Sequence, residues 1–322
     1  MNHIPVIDLA ARHTAAGKAL LAKEIGAACA TSGFYVIVGH DVPKELIDRM
    51  IAVTNAFFRL PEREKDLPSF RSAGGTTARS MDLESPPDLC ESFTAHVTGE
   101  LPESEREQLG DYRASWKQAN TWPRDPSDFK ETWHEYLTAL SGLAAELLRL
   151  SALALGFEEG HFDERFDRHV SALVANYYYP QLTPPLPGQL RRGAHTDFGC
   201  LTVLYQEDDL GGLQVWQGQQ WVDVRAIPGS FVVNIGDLMA LWTGGAWRST
   251  LHRVVNPLQG NTSSRLSVPF FYQPNHDAPA ENGTAGQWIT QKMEKLFLGV
   301  NLVAASTGTS GHIPATFDSN PA

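Results

Sequence analysis

The chain has 322 residues, 42% of them hydrophobic and 20% charged, which is enough apolar material for a sizeable core. A formal net charge of -11 with no block of Lys and Arg argues against nucleic acid as a partner, and no run of apolar residues is long enough to predict a membrane span. Cys29, Cys90 and Cys200 make neither a disulfide framework nor a CxxC pair, and without an export signal the sequence predicts a cytoplasmic protein.

In chain order, residues 4–7 predict a short strand and residues 15–31 a helix that Ser32 and Gly33 end. The β-branched and aromatic run 34–38 predicts a strand, and Gly39, His40 and Asp41 turn it into a helix opening near Pro43. His40 reads as a local hydrogen-bonding residue. The stretch from Arg71 to about Pro126 is rich in Gly, Ser, Thr, Pro and Glu, the texture of an irregular segment covering a pocket. Trp133, Leu137, Leu140, Ala144, Leu147, Leu148 and Leu155 then mark the apolar stripe of a long helix backing a sheet. After Ser171 come short β-rich runs at 172–179, 201–205, 213–216, 221–224, 231–235, 252–255 and 266–272, a spacing that suggests a barrel or sandwich. Glu207, Asp208 and Asp209, before two glycines, read as a solvated hairpin turn, and Cys200 as a small buried hydrophobe. Residues 286–298, with Trp288, Ile289, Met293 and Phe297, predict a closing helix.

The chemistry-bearing residues lie in the β-rich half. If the segment around His195, Thr196 and Asp197 is extended, residues two apart share a face, so His195 and Asp197 look inward together. His252, on another β-rich run, supplies a third donor. Two imidazoles and one carboxylate leave coordination positions open, the facial arrangement used for oxygen activation at Fe(II). Alone, a His-x-Asp pair arises often by chance, and a single histidine is more often structural. Arg265 and Ser267 add the discriminating feature. A guanidinium fork and a hydroxyl on one strand face suit the carboxylate of a dicarboxylic co-substrate.

The same residues carry a family resemblance. Runs 4–8 (Ile-Pro-Val-Ile-Asp), 32–40 (Ser-Gly-Phe-Tyr-Val-Ile-Val-Gly-His) and 57–61 (Phe-Phe-Arg-Leu-Pro), with Glu64 and Lys65, are followed in order by four more. These are 211–215 (Gly-Gly-Leu-Gln-Val), 221–224 (Trp-Val-Asp-Val), 228–237 (Pro-Gly-Ser-Phe-Val-Val-Asn-Ile-Gly-Asp) and 249–256 (Ser-Thr-Leu-His-Arg-Val-Val-Asn). The chain resembles the iron and 2-oxoglutarate-dependent dioxygenases of the isopenicillin N synthase-like family over nearly its whole length.

The resemblance implies a mixed α/β fold with a mainly β core, a double-stranded β-helix or jelly roll with an N-terminal α/β region and packing helices. It implies one catalytic domain, with the N-terminal region over 1–125, the jelly-roll core over 168–275 and a C-terminal helix over 284–299. Iron falls on His195, Asp197 and His252, and the 2-oxoglutarate carboxylate on Arg265 and Ser267, with O2 as the oxidant. The family's Asn-x-Tyr-Pro run stands here as Asn176, Tyr177, Tyr178, Tyr179, Pro180. Aligning on the asparagine selects Asn176 and Tyr178 as co-substrate contacts; aligning on the proline selects Tyr177 and Tyr179, the opposite strand face. Phe198 and Phe93 are the residues expected to border a small-molecule substrate, with pocket walls from Arg71 to Phe93 and from the C-terminal segment. The implied activity is hydroxylation, desaturation or cyclisation of a small molecule. Three other readings are an Fe(II) oxidase of the same fold without 2-oxoglutarate, a zinc hydrolase, and a non-catalytic jelly-roll binding protein. The sequence carries no sign of oligomeric state.

Overall fold

A computed structural model describes residues 4–68, 70–71, 85–109, 114–207, 211–258 and 263–298. The chain opens with β1 (Val6–Asp8), α1 (Ala15–Thr31), β2 (Phe34–Val38) and α2 (Lys44–Phe58). The Thr14 hydroxyl caps α1 by accepting the Gly17 N–H. Gly33 then leaves the helix at φ 68°, and a Cβ there would lie 2.0 Å from the Arg248 carbonyl oxygen, so only glycine fits. Next come β3 (Phe70–Arg71), β4 (Glu91–His96), the single turns α3 (Glu103–Arg106) and α4 (Ala114–Lys117), and the long α5 (Phe129–Ala154). The β-rich half holds β5 (Ala172–Tyr178), β6 (Arg192–His195), β7 (Leu201–Gln206), β8 (Leu213–Gln217), β9 (Gln220–Asp223) and β10 (Phe231–Ile235). It ends with α6 (Asp237–Trp242), β11 (His252–Val254), β12 (Arg265–Tyr272) and α7 (Ala285–Leu298).

An eight-stranded sheet runs β1-β2-β10-β7-β12-β5-β4-β3, and a four-stranded sheet runs β6-β11-β8-β9. Strands from the first forty residues therefore hydrogen-bond into the same sheet as those of the second half. Period-two alternation sorts the side chains of the large sheet. Leu201, Val203 and Tyr205 of β7, Leu266, Val268 and Phe270 of β12, and Leu173, Ala175 and Tyr177 of β5 pack with residues of α1, α2 and α5 in one core. On the other face, Phe34, Val36, Tyr178 and Val232 meet Leu213, Val215 and Val254 of the small sheet in a second core. This helix–sheet–sheet layering is the double-stranded β-helix that the sequence resemblance implies. Among the described helices α5 is long and apolar enough to cross a membrane by length and composition, yet its Phe129, Trp133, Leu140 and Leu147 are fully buried against the sheet and its neighbouring helices.

Two expectations need correction. The stretch predicted as irregular contains β4, which pairs with β5 through Phe93 opposite Ala175 and Ser92 opposite Asn176. Its polar inner residues and a mere alternation of apolar ones hid it from a reading based on composition. Phe93 does not border the interior where Asn176 and Tyr178 lie. It is fully buried on the helix side, edge-on to Phe57, Phe129 and Trp133 at 5.0 to 5.2 Å between ring centroids. Of the expected pocket walls, residues 72–84 and 299–322 lie outside the described residues, as do Asp208 and Asp209 of the hairpin.

His40 takes the local role expected of it, its Nδ1 accepting the Val42 N–H at 3.1 Å and its Nε2 lying 2.8 Å from the Gly229 carbonyl. Cys200 is buried, and burial pushes its thiol pKa up. Removing the Phe93 ring leaves a cavity in the helix–sheet core, so Phe93→Ala is expected to lower stability by about 3–5 kcal/mol in urea unfolding. The affinity for 2-oxoglutarate should stay unchanged in that variant, whereas a substrate-bordering role would show in catalysis with little loss of stability.

Candidate active site

β6 and β11 lie side by side with His195 directly opposite His252, and Asp197 follows two residues beyond the end of β6. The imidazole rings are 4.2 Å apart between centroids. Asp197 Oδ1 lies 3.9 Å from His195 Nε2 and 3.7 Å from His252 Nε2. One donor atom from each residue falls within 4.8 Å of the others, close enough to share a single metal ion.

Each donor is oriented from behind. His195 Nδ1 is 2.8 Å from the Gly193 carbonyl and His252 Nδ1 is 3.1 Å from that of Thr250, so both rings carry Nδ1–H and turn the Nε2 lone pair inward. Phe34 of β2 packs edge-on to the His252 ring at 5.3 Å. Asp197 Oδ2 accepts from Thr202 Oγ1 at 2.5 Å and Asn234 Nδ2 at 2.7 Å, which leaves Oδ1 for the metal. Burial, followed by the neighbouring His252, pushes the His195 pKa down to about 3, so the ring is neutral and its lone pair available at neutral pH. Burial alone would raise the Asp197 pKa. The two imidazoles and the Asn234 and Thr202 hydrogen bonds outweigh it and hold the carboxyl below its ordinary value, as a metal-ligating carboxylate requires.

Arg265 and Ser267 of β12 stand opposite Tyr178 and Asn176 of β5, so the four side chains share the inner face. This register matches the asparagine alignment. Tyr177 stacks on Phe58 in the helix-side core at 5.0 Å, and Tyr179 bonds Lys65 and Glu91. Arg265 is only 1% exposed, with its guanidinium carbon 5.1 Å from the centre of the Tyr178 ring. Its Nη2 reaches Gln206 Oε1 at 3.3 Å, while Nε, Nη1 and the neighbouring Gln206 Nε2 are buried with no hydrogen-bond partner among the described residues. Buried N–H donors around a fixed positive charge, left without acceptors, form a cradle for a carboxylate.

Several residues of the site were not found from sequence. Asn234 is the single polar residue of β10, and Thr202 and Gln206 are the polar residues of the otherwise apolar β7, a signal that was present. Arg192 was hidden by a β-bulge. Val254 pairs with Arg192 and His252 with His195, so two steps on β11 match three on β6, and residues of opposite parity come to one face. Asp237 gathers groups from three segments. Its N–H donates to the Asp197 carbonyl at 2.7 Å, Oδ1 accepts from Ser249 at 2.6 Å, and Oδ2 accepts from Thr196 at 3.2 Å and from Lys292 of α7 at 2.8 Å. Gly236 allows that approach, since a Cβ there would stand 2.3 Å from the Gly199 carbonyl oxygen. Phe198 is half-buried, and its carbonyl accepts from Trp288 Nε1 at 2.9 Å, which docks α7 on the segment carrying the metal donors.

Two family models match the sequence, the 2OG-Fe(II) oxygenase superfamily over residues 169–274 and the N-terminal model of non-haem dioxygenases in morphine synthesis over residues 4–125. The chain is 32% identical to homoarginine-6-hydroxylase 2-ODD-C23.1 of Arabidopsis thaliana, covering 82% of this chain and 80% of that one. It is 35% identical to the 2-oxoglutarate-Fe(II) type oxidoreductase hxnY of Emericella nidulans, covering 85% and 80%. The crystal structure of a full-length Neurospora crassa protein in complex with alpha-KG superimposes with a TM-score of 0.76 at 25% identity, over 90% of this chain and 96% of that one. The chain belongs to the 2-oxoglutarate and Fe(II) oxygenase superfamily. It is a 2-oxoglutarate-dependent dioxygenase, an oxidoreductase that uses Fe(II) and O2.

Because Asp237 holds both donor-bearing segments and α7 together, Asp237→Ala is expected to lower unfolding free energy by about 2–3 kcal/mol in chemical denaturation. Lys292→Met, at the partly exposed end of the same network, should cost less than about 1 kcal/mol.

Proposed function

We propose that His195, Asp197 and His252 hold the catalytic Fe(II), and that Arg265, Ser267, Asn176 and Tyr178 receive 2-oxoglutarate for the oxidation of a small molecule, with hydroxylation as the default outcome. The observation that carries this reading is the set of unpartnered buried donors on Arg265 and Gln206, on the same interior face as a clustered two-histidine, one-carboxylate donor set. When bound, the metal and 2-oxoglutarate supply O2 activation, with succinate and CO2 released and a substrate C–H bond oxidised.

The protein's own groups bind and orient. Arg265 can meet the far carboxylate of the co-substrate with two parallel N–H donors, with Ser267 adding a hydroxyl beside it. The Tyr178 hydroxyl lies within reach of Ser267, and burial raises its pKa, so it stays a neutral hydrogen-bonding group. Asn176 Oδ1 accepts from Ser92 at 2.8 Å, which fixes the amide facing the co-substrate. Burial of this face excludes water and strengthens each polar contact.

A small-molecule substrate is supported by the relatives. The Neurospora crassa protein is known in complex with thymine and JOX2 with JA, and other relatives bear the names homoarginine-6-hydroxylase and validamycin A dioxygenase. The cytoplasmic reading is supported by three buried cysteines that form no bond with one another. An oxidase of the same fold can retain an Arg-x-Ser pair, so consumption of 2-oxoglutarate separates that reading from this one, whereas a zinc hydrolase would need neither the cradle nor the Tyr178 face.

Anaerobic addition of Fe(II) and 2-oxoglutarate is expected to give a weak visible charge-transfer band, absent in His252→Ala. Substrate turnover without consumption of 2-oxoglutarate would instead identify the oxidase chemistry.

A further inference from the structure

Arg192 is a second guanidinium on the interior face, and its surroundings differ from those of a structural arginine. Arg12, which is more deeply buried, has Nε, Nη1 and Nη2 on Glu146, on the Leu9 and Gly39 carbonyls and on Asp41. Arg192 has one hydrogen bond to sulfur and only long contacts to oxygen. Nη1 is 3.3 Å from Cys90 Sγ and 3.6 Å from Asp88 Oδ2, and Nη2 is 3.5 Å from Asn176 Oδ1. No acceptor is recorded for its Nε among the described residues. A guanidinium has five N–H donors, none of these contacts is a short bond to oxygen, and the side chain is 21% exposed, so the group is open to a ligand.

Its position is fixed and specific. Asp88, 3% exposed, accepts the Gly193 N–H at 2.8 Å through Oδ1, so the carboxylate beside Arg192 is tied to the backbone of β6. The bulge between Arg192 and His195 puts the guanidinium on the side of the metal donors, near enough for its charge to act on both His195 and Asp197. Arg265, opposite Tyr178, flanks the row Ser92, Asn176, Ser267, Gln206 that crosses β4, β5, β12 and β7, and meets it at the β7 end through Gln206. Arg192 meets that row at its β4 end, through Asn176 and Cys90. The interior thus carries two separated carboxylate-reading groups, and a dicarboxylate stretched between Arg265 and the metal uses the first.

We propose that Arg192 recognises a carboxylate on the primary substrate, which makes the substrates small organic acids whose reacting carbon lies near the metal donors. This rests on the iron and 2-oxoglutarate reading above. The chemistry Arg192 selects is a carboxylate, and the co-substrate's own metal-side carboxylate is the competing source.

The test follows the visible band of the anaerobic Fe(II) and 2-oxoglutarate complex in the wild type, Arg192→Leu and Arg192→Lys. Benzoate, phenylacetate and hexanoate are then titrated beside their primary amides. In Arg192→Leu, 2-oxoglutarate should saturate within about twofold of wild type, while the band shift induced by the acids weakens by ~30-fold or more. Arg192→Lys, which keeps the charge and loses the fork, should recover part of that shift. Since Arg192→Leu leaves Asp88 as a buried charge, the Asp88→Asn/Arg192→Leu double variant, with neither charge, repeats the test if the single variant does not fold. A loss of 2-oxoglutarate affinity of ~10-fold or more in either variant would assign Arg192 to the co-substrate and overturn the proposal. So would amides that bind as well as the acids, or a wild-type complex that responds to no acid. Absence of the band in the wild type would remove the iron and 2-oxoglutarate reading itself, and this proposal with it.

Discussion

The alternation of side chains across the large sheet is the constraint on which the rest depends. One face must satisfy α1, α2 and α5, so every second residue of β5, β7, β10 and β12 is apolar: Tyr177, Val203, Val233 and Val268 belong to that core. The intervening positions are free of that demand and carry the chemistry as Asn176, Thr202, Asn234 and Ser267. A shift of one residue in any of these strands would move its polar group into the helix core and its hydrophobic residues into the site. The apolar packing that stabilises the fold therefore also fixes the register of Arg265 opposite Tyr178 and of Ser267 opposite Asn176.

The small sheet works by a different rule. It brings His195 and His252 together through strand pairing, and a bulge lets Arg192 share their face. Asp197 comes from a loop, so pairing cannot hold it. Thr202, Asn234 and the Asp237 N–H hold it instead. The arrangement is costly without ligands. A buried guanidinium with two of its nitrogens unpaired among the described residues, as in Arg265, carries a desolvation penalty of several kcal/mol that a bound dicarboxylate offsets. Ligand binding and stability are thus coupled at this site.

Much of this was legible in the sequence. The helix over 15–31 and the strands over 34–38 and 231–235 form with the bounds read from periodicity. His195, Asp197 and His252 come together because two of the donors lie on paired strands, although Asp197 stands beyond the strand end rather than on it. What escaped the reading has physical causes. β4 escaped because only Phe93 and Ala95 of its six residues are apolar, and Phe93 reads as a pocket residue until the register assigns it to the helix core. Arg192 has the wrong parity for an interior residue until the bulge is known. The role of Asp237 depends on groups far apart in sequence, from Thr196 to Lys292, which no local pattern encodes.

The most direct test of the account is a calorimetric titration of 2-oxoglutarate into anaerobic Fe(II)-loaded protein, comparing wild type with Arg265→Leu. The account predicts one co-substrate per chain, and an affinity reduced ~100-fold or more in the variant while Fe(II) binding persists. Undiminished 2-oxoglutarate binding in Arg265→Leu would contradict it.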